Sequence, residues 1–204
     1  GSPSDVPYSV SRAFRVAVTE RKGPVVLQLP EDTMKMETQA RPLERKSIQA
    51  RAAELSSLAS VQEILRTSSR PLVIAGHGVL REKAVDELRS FLRSWNVPGC
   101  CTWMASGAIA FDEPLSLGTI GMRDSDLVRE TYELADAVLL IGFDSTEFQA
   151  HYWNRGVRKR VAYIGRPKPI ECSELALEVI ALGDLPSSLR TLSMGAEPKP
   201  VWHA

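Results

Sequence analysis

Arg70-Pro71-Leu72-Val73-Ile74-Ala75-Gly76-His77-Gly78-Val79-Leu80 is the stretch on which the reading of this chain turns. Leu72 to Ala75 is a short apolar run with Pro71 before it and Gly76 and Gly78 after it, the pattern of a fully buried strand ending in a tight loop. Arg81 to Trp95 follows with Ala84, Val85, Leu88, Phe91 and Leu92 on one helical stripe. Arg81, Glu82, Lys83, Asp86, Glu87 and Arg89 lie off that stripe. Strand, glycine loop and helix in this order form the opening unit of a nucleotide-binding type of α/β domain.

Working outward, signals of the same kind alternate. Gln49 to Thr67 reads as a helix stopped by Ser68-Ser69-Arg70-Pro71. Val97 to Thr102 reads as a strand, Met104 to Ala110 as a short helix, and the stretch through Pro114 and Gly118-Thr119-Ile120-Gly121 as a loop. Asp124 to Leu134 and Pro186 to Leu192 read as helices, and Ala137 to Ile141, Val161 to Ile164 and Leu177 to Ala181 as strands. Strands that are apolar on both faces and alternate with helices imply a parallel sheet with helices on each side: a three-layer α/β/α fold.

The amino-terminal part reads differently. Val10, Ala13, Phe14 and Ala17 mark an amphipathic helix over Tyr8 to Thr19. Gly23-Pro24 ends it, and Val25 to Leu29 reads as a strand closed by Pro30-Glu31-Asp32. One helix and one strand cannot bury their own apolar faces, so this piece needs a partner. Thr33 to Lys46 is polar and aperiodic, as a linker is. Gly195 to Ala204, with Pro198 and Pro200, reads as a tail or linker.

Composition narrows the class. Across 204 residues there are 25 basic and 25 acidic residues, with no block of like charge. A nucleic-acid surface or an anionic-membrane surface would need a clustered excess of Lys and Arg. No apolar run approaches the roughly 20 residues that cross a bilayer, and no secretory signal is visible. Cys100, Cys101 and Cys172 are too few and too irregular for a disulfide framework or a zinc site, so a reducing, cytoplasmic setting is expected. Cys100 and Cys101 should point to opposite faces of their strand as buried thiols.

Candidate chemistry belongs to the loops after the strands, because open parallel sheets bind ligands at their carboxyl ends. Gly76-His77-Gly78 suits either a tight turn or close backbone approach to a phosphate, although Arg81 stands where a full G-x-G-x-x-G would carry its last glycine. Thr102-Trp103-Met104 suits core packing or the lining of an adenine or flavin pocket. In Gly121-Met122-Arg123-Asp124, Arg123 would grip a pyrophosphate in one reading; in the other, Asp124 caps a helix and Arg123 is solvated. Asp144, Glu147 and His151 have spacings that would share a helical face, and a solvated helix is the expected reading over a metal site. His77, His151 and His203 lack a nearby nucleophile in a catalytic setting.

Several segments, taken in order, resemble one family. Gly23-Pro24-Val25-Val26-Leu27-Gln28-Leu29-Pro30-Glu31-Asp32 is similar to the end of the pyrimidine-binding domain of thiamine-diphosphate-dependent enzymes of the acetolactate synthase type. Arg70 to Gly78 resembles the start of their central domain. Leu117-Gly118-Thr119-Ile120-Gly121-Met122, Ala135-Asp136-Ala137-Val138-Leu139-Leu140-Ile141-Gly142 and Gly183-Asp184 resemble its later landmarks. Phe143-Asp144 with Glu147-Phe148 and Tyr152-Trp153-Asn154 looks most like the catabolic acetolactate synthase branch.

The resemblance implies a Rossmann-like sheet of about six parallel strands, of the DHS-like NAD/FAD-binding type. It divides the chain into residues 1–32, the end of a preceding pyrimidine-binding domain; 33–47, a linker; 48–194, the central domain; and 195–204, a tail or linker. It also implies that thiamine diphosphate and magnesium act in the parent enzyme and are not bound by this fragment. In the family the activating glutamate lies earlier than anything present here. The Gly-Asp-Gly motif that holds the diphosphate through magnesium lies in a later domain, and Gly183-Asp184-Leu185 lacks its third glycine.

Some relatives hold FAD or ADP in the central domain. The positions matching such a site are Gly76, His77, Gly78, Thr102, Trp103, Met104, Gly121, Met122, Arg123, Gly142 and Asp184. Two departures count against flavin: Gly165-Arg166 replaces an Asp, and Gly142-Phe143-Asp144 lacks an arginine. An Arg at 166 suits a phosphate better than ribose hydroxyls. The expected role is a non-catalytic spacer that could also carry a nucleotide, its partners the other two domains of a homodimeric or homotetrameric parent, with no nucleic acid and no membrane. The alternatives are a free-standing nucleotide-binding module and a purely structural interaction domain.

Overall fold

In the computed structural model, residues 2–44, 51–121, 128–154, 156, 159–168 and 174–202 are described. They fall into two compact units, residues 1–49 and 50–204.

The larger unit is built on one sheet. Its elements in chain order are α2 (Leu55–Thr67), β1 (Pro71–Ala75), α3 (Val85–Trp95), β2 (Gly99–Thr102), β3 (Ser116–Ile120), α4 (Arg129–Leu134), β4 (Ala137–Ile141), β5 (Arg160–Gly165), β6 (Val179–Leu182) and α5 (Leu185–Met194). The strands are parallel and ordered β3-β2-β1-β4-β5-β6. The chain runs outward from β1 to β3 and then returns to place β4 on the other side of β1. A topological switch point therefore lies between β1 and β4.

Both faces of the sheet are buried, which explains why its central strands are uninterrupted apolar runs. Val73, Ala75, Leu139, Ile141, Ala162 and Ile164 face a core completed by α2, α3 and α5 through Leu58, Val61, Leu65, Leu88, Phe91, Leu92, Leu185 and Leu189. Leu72, Ile74, Val138, Leu140, Val161 and Tyr163 face the opposite core, with Val128, Tyr132, Phe143, Phe148 and Trp153. Cys100 lies in the second core and Cys101 in the first, as their adjacent positions on a strand require. Trp95 closes the first core, its indole N–H donating to Leu192 O at 3.1 Å.

Several expectations are corrected. Ser116–Ile120 is an edge strand and not a loop; its half-exposed residues, which include Gly118 and Thr119, lack the apolar signature of a central strand. The helix expected from Gln49 begins at Leu55. Residues 51–53 lie outside the helix and are pinned beside α5, with Asp184 N donating to Arg51 O at 2.7 Å and Ala53 N donating to Ser188 Oγ at 3.0 Å. The helix expected from Arg81 is broken: one turn, Gly78–Arg81, precedes α3, and Lys83 between them has φ +56°. The expected Met104 to Ala110 helix is a single 3₁₀ turn, Trp103–Ala105. Asp144, Glu147 and His151 do not share a helix, because the segment after β4 is a series of turns leading to the short 3₁₀ turn Ala150–Tyr152.

Residues 196–202 do not trail into solvent. Lys199 N donates to Trp95 O at 2.8 Å, Asn96 Nδ2 to Lys199 O at 2.7 Å, Lys199 Nζ to Arg66 O at 2.8 Å and Trp202 Nε1 to Pro71 O at 2.9 Å. This segment straps the amino-terminal edge of β1 and the end of α3.

In the smaller unit, α1 (Val6–Val18) forms as expected and buries none of its residues. The expected strand Val25 to Leu29 is absent among the described residues: the run is not assigned to a sheet, and Val26 is 92% exposed. A strand needs a hydrogen-bonded neighbour, and residues 2–44 supply none. Within the expected linker, Glu31–Met34 forms one helical turn.

Candidate functional site

The carboxyl ends of β1, β4 and β5 meet at the switch point, and three glycine-bearing loops converge there. Gly76 N donates to Ile141 O at 2.8 Å, Gly78 N to Gly142 O at 2.9 Å and Gly142 N to Ile164 O at 2.8 Å. The Gly78–Arg81 turn engages the next amides too: Val79 N bonds Gly76 O, and Leu80 N and Arg81 N bond His77 O. Gly142 has φ +58°, a conformation that favours glycine.

The candidate residues are divided between interior and rim. Gly76, Gly78, Thr102, Gly142 and Asp184 are buried, His77 is half-buried, and Trp103, Met104 and Gly121 are exposed. Met122 and Arg123 lie outside the described residues, as do Asp124, Cys172 and His203. Thr102 Oγ1 donates to Glu147 Oε2 at 2.7 Å, which joins the end of β2 to the loop after β4. Asp184 caps α5, accepting from Ser187 N at 3.3 Å and from Ser187 Oγ at 3.1 Å.

One member of this region was hidden in the sequence. Glu82 has a side chain only 7% exposed, and its Oε2 accepts from Arg166 at 3.1 Å and from Leu185 N, in the first turn of α5, at 2.9 Å. Arg166, which from sequence suits a phosphate, is thus matched by a buried carboxylate. Among the described residues Glu82 Oε1, Asp184 Oδ2 and Arg166 Nε are buried without a hydrogen bond. The two oxygens are acceptors, the wrong sign for a diphosphate, and the Arg166 charge is already met by Glu82. No sequence signal marks Glu82, which the pattern places off the apolar stripe of a continuous helix; in the structure that helix is broken at Lys83, φ +56°.

The loop after β4 also carries rings. Phe148 stacks on Tyr152 with centroids 5.8 Å apart, and Phe143 meets Trp153 edge-on at 6.3 Å. At the opposite end of the sheet lies a cleft of about 840 Å³ lined by residues that include Arg89, Arg93, Asn96, Glu113 and Val201. Two of its charges are paired: Arg93 donates to both oxygens of Glu113, at 3.0 and 2.5 Å. That hydrogen-bonded guanidinium holds the Glu113 carboxyl below its usual range, against the opposing effect of burial. Arg89 donates to the Ala108 and Gly107 carbonyls.

Residues 58–192 match the model of the family described as thiamine pyrophosphate enzyme, central domain. The chain belongs to that family. Among curated relatives of this thiamine pyrophosphate enzyme central domain, the acetolactate synthase isozyme 1 large subunit of Escherichia coli is 26% identical over 211 residues, covering 98% of this chain and 36% of the relative. The acetolactate synthase of Bacillus subtilis is 25% identical over 199 residues, covering 94% of this chain and 34% of its own length. The chain spans between 24% and 36% of the length of such relatives.

Two solved structures share the fold. An enzyme from Mycobacterium smegmatis assigned to the thiamin diphosphate-dependent class superposes with a TM-score of 0.75 at 21% identity, covering 98% of this chain and 38% of that one. Benzoylformate decarboxylase from Polynucleobacter necessarius superposes with a TM-score of 0.73 at 18% identity, with the same coverage. The Rossmann-like, six-stranded central domain expected from sequence is the fold observed. Among the described residues no group of three or more His, Cys, Asp or Glu is placed to hold a metal ion, and no helix is long and apolar enough to cross a membrane.

Proposed function

We propose that this chain is the middle of a thiamine-diphosphate-dependent 2-keto acid enzyme of the acetolactate synthase type, in which it acts as a rigid spacer between the parts that carry the thiamine chemistry. The observation that carries this reading is the family match over residues 58–192, set on a sheet buried on both faces. The similarity to acetolactate synthases over nearly the whole chain supports the substrate class. When bound in the parent, thiamine diphosphate supplies an ylid that adds to a 2-keto acid and an electron sink for its decarboxylation.

The described residues do not fit that group. They offer no carboxylate cluster for magnesium, so no step is assigned to them. Their contribution is distance and orientation, with residues 48–194 as the spacer, 1–32 as the end of a preceding domain, and 33–47 and 195–204 as connections. The parent is a cytoplasmic homodimer or homotetramer in this reading.

The test is turnover by the parent enzyme with pyruvate, thiamine diphosphate and magnesium. Release of carbon dioxide with formation of acetolactate is the expected result, and the 204-residue chain under the same conditions should give none. A parent inert toward every simple 2-keto acid, or an active 204-residue chain, would overturn the reading.

A further inference from the structure

A Rossmann-like sheet with two glycines after its first strand invites a nucleotide at the switch point, and the use made of those glycines decides whether the invitation holds. A Cβ added at Gly76 would lie 2.5 Å from both Gly142 O and Phe143 Cα, and one at Gly78 would lie 2.8 Å from Gly142 Cα. One at Gly142 would lie 2.8 Å from Val79 N, and one at Gly165 would lie 3.3 Å from Gly142 Cα. These are approaches of backbone to backbone. The volume in front of each glycine is filled by a neighbouring loop, whereas in a cradle it would be left for a phosphate.

The polar groups tell the same story. A phosphate site needs backbone N–H groups directed at the anion. Here the Gly76 and Gly78 amides donate to carbonyls across the switch point, and the Gly142 amide donates to Ile164 O of β5. The Thr102 hydroxyl donates to Glu147, and Arg166 is paired with Glu82. Among the described residues the buried atoms left without a hydrogen bond here are Glu82 Oε1 and Asp184 Oδ2, acceptors that repel a diphosphate, and Arg166 Nε, a donor whose guanidinium is already neutralised by Glu82.

We infer that the chain fills its own nucleotide crevice: the start of the loop after β4, at Gly142 and Phe143, seats against the ends of β1 and β5, so that Gly76, Gly78, Gly142 and Gly165 form a packing seam and no FAD or ADP is held there. The described residues do not fit a flavin. This conclusion is independent of the keto-acid reading, since it concerns only how three loops of one sheet meet.

The experiment is a thermal titration of the chain with FAD and, separately, with ADP at about 1 mM, roughly a hundredfold above a 10 μM dissociation constant, where a real site would raise the midpoint by about 5–10 °C. No shift with either ligand is expected. In the absence of nucleotide, Gly76→Ala and Gly78→Ala should lower the midpoint by about 5–10 °C, as overpacking does. Trp103→Ala, at the exposed rim, should leave it unchanged. A midpoint raised by FAD or ADP, or a Gly76→Ala chain melting with wild type, would overturn the inference. If Gly76→Ala yields no folded chain, the wild-type titration decides by itself.

Discussion

The Thr102 hydroxyl, buried at the end of β2, donates a 2.7 Å hydrogen bond to Glu147, which lies in the loop after β4. The two residues are 45 positions apart in sequence, on opposite sides of β1 in the sheet. Removing the donor leaves a carboxylate oxygen short of its partner in a half-buried place. Thr102→Val should cost about 1.5–3 kcal/mol, and Thr102→Ser should restore most of it. Urea denaturation of the three chains checks this; equal stability of Val and wild type would show that the bond contributes nothing.

The strap at residues 196–202 is a second place where stability should be measurable. Trp202 packs against the core that contains Leu72 and Ile74, and its indole N–H donates to Pro71 O. Trp202→Phe removes the hydrogen bond and keeps most of the apolar contact, so it should cost about 0.5–1.5 kcal/mol. Trp202→Ala removes both and should cost about 2–4 kcal/mol. A strap that merely rests on the surface would show no difference between these variants by calorimetry.

Cys100 and Cys101 are buried, and burial pushes the Cys101 thiol above its ordinary pKa. In a Cys172→Ser background, a thiol-reactive dye at pH 8 should label the native chain negligibly. Both cysteines should react once urea is added, because the thiolate is the nucleophile and neither thiol is accessible in the fold. Rapid native labelling would place one of them outside the cores assigned to it.

Acid should weaken the fold through two ion pairs. The Glu113 carboxyl is lowered by its hydrogen bonds from Arg93, and that of Glu178 by its hydrogen bonds from Arg160; burial opposes the shift in each case. A carboxyl whose folded pKa lies below its unfolded value contributes stability that is complete above the unfolded value of 4.5 and is lost as pH falls through the folded one. The stability difference between wild type and the Glu113→Gln, Glu178→Gln double variant should therefore be constant above about pH 5.5 and shrink below about pH 4.5. A difference that grows on acidification would reverse this assignment.

How much of this could be read from sequence follows from where each signal is stored. The strands β1, β4 and β5 were legible because a central parallel strand is apolar on both faces, as Leu72 to Ala75 and Ala137 to Ile141 are. The edge strand β3 was not. Ser116, Gly118 and Thr119 carry no such run, and only pairing with β2 makes them a strand. Val25 to Leu29 failed the opposite way: its apolar residues promise a strand, but the described residues around it offer no ladder.

At the site, the glycines could be found but not interpreted. That Gly76 faces Gly142 is a fact about two segments 66 positions apart, and no local pattern distinguishes an approach to another loop from an approach to a ligand. Glu82 was obscured by a sound rule, since an acidic residue off the apolar stripe of a helix ordinarily meets water. The positive φ of Lys83 broke that helix and turned Glu82 toward Arg166 and Leu185.

The chain enters the sheet domain at residues 51–53, beside the carboxyl end of β6, and is strapped by residues 199–202 at the amino-terminal end of β1. Tension applied between these two anchorages would run diagonally over the sheet, with a component along the strands. That component would load the hydrogen bonds of the ladders between β1 and β6 together, in shear, and not one at a time like a zipper. A single-molecule pull from residue 51 to residue 202 should meet a higher rupture force than a pull between two points on the same end of the sheet.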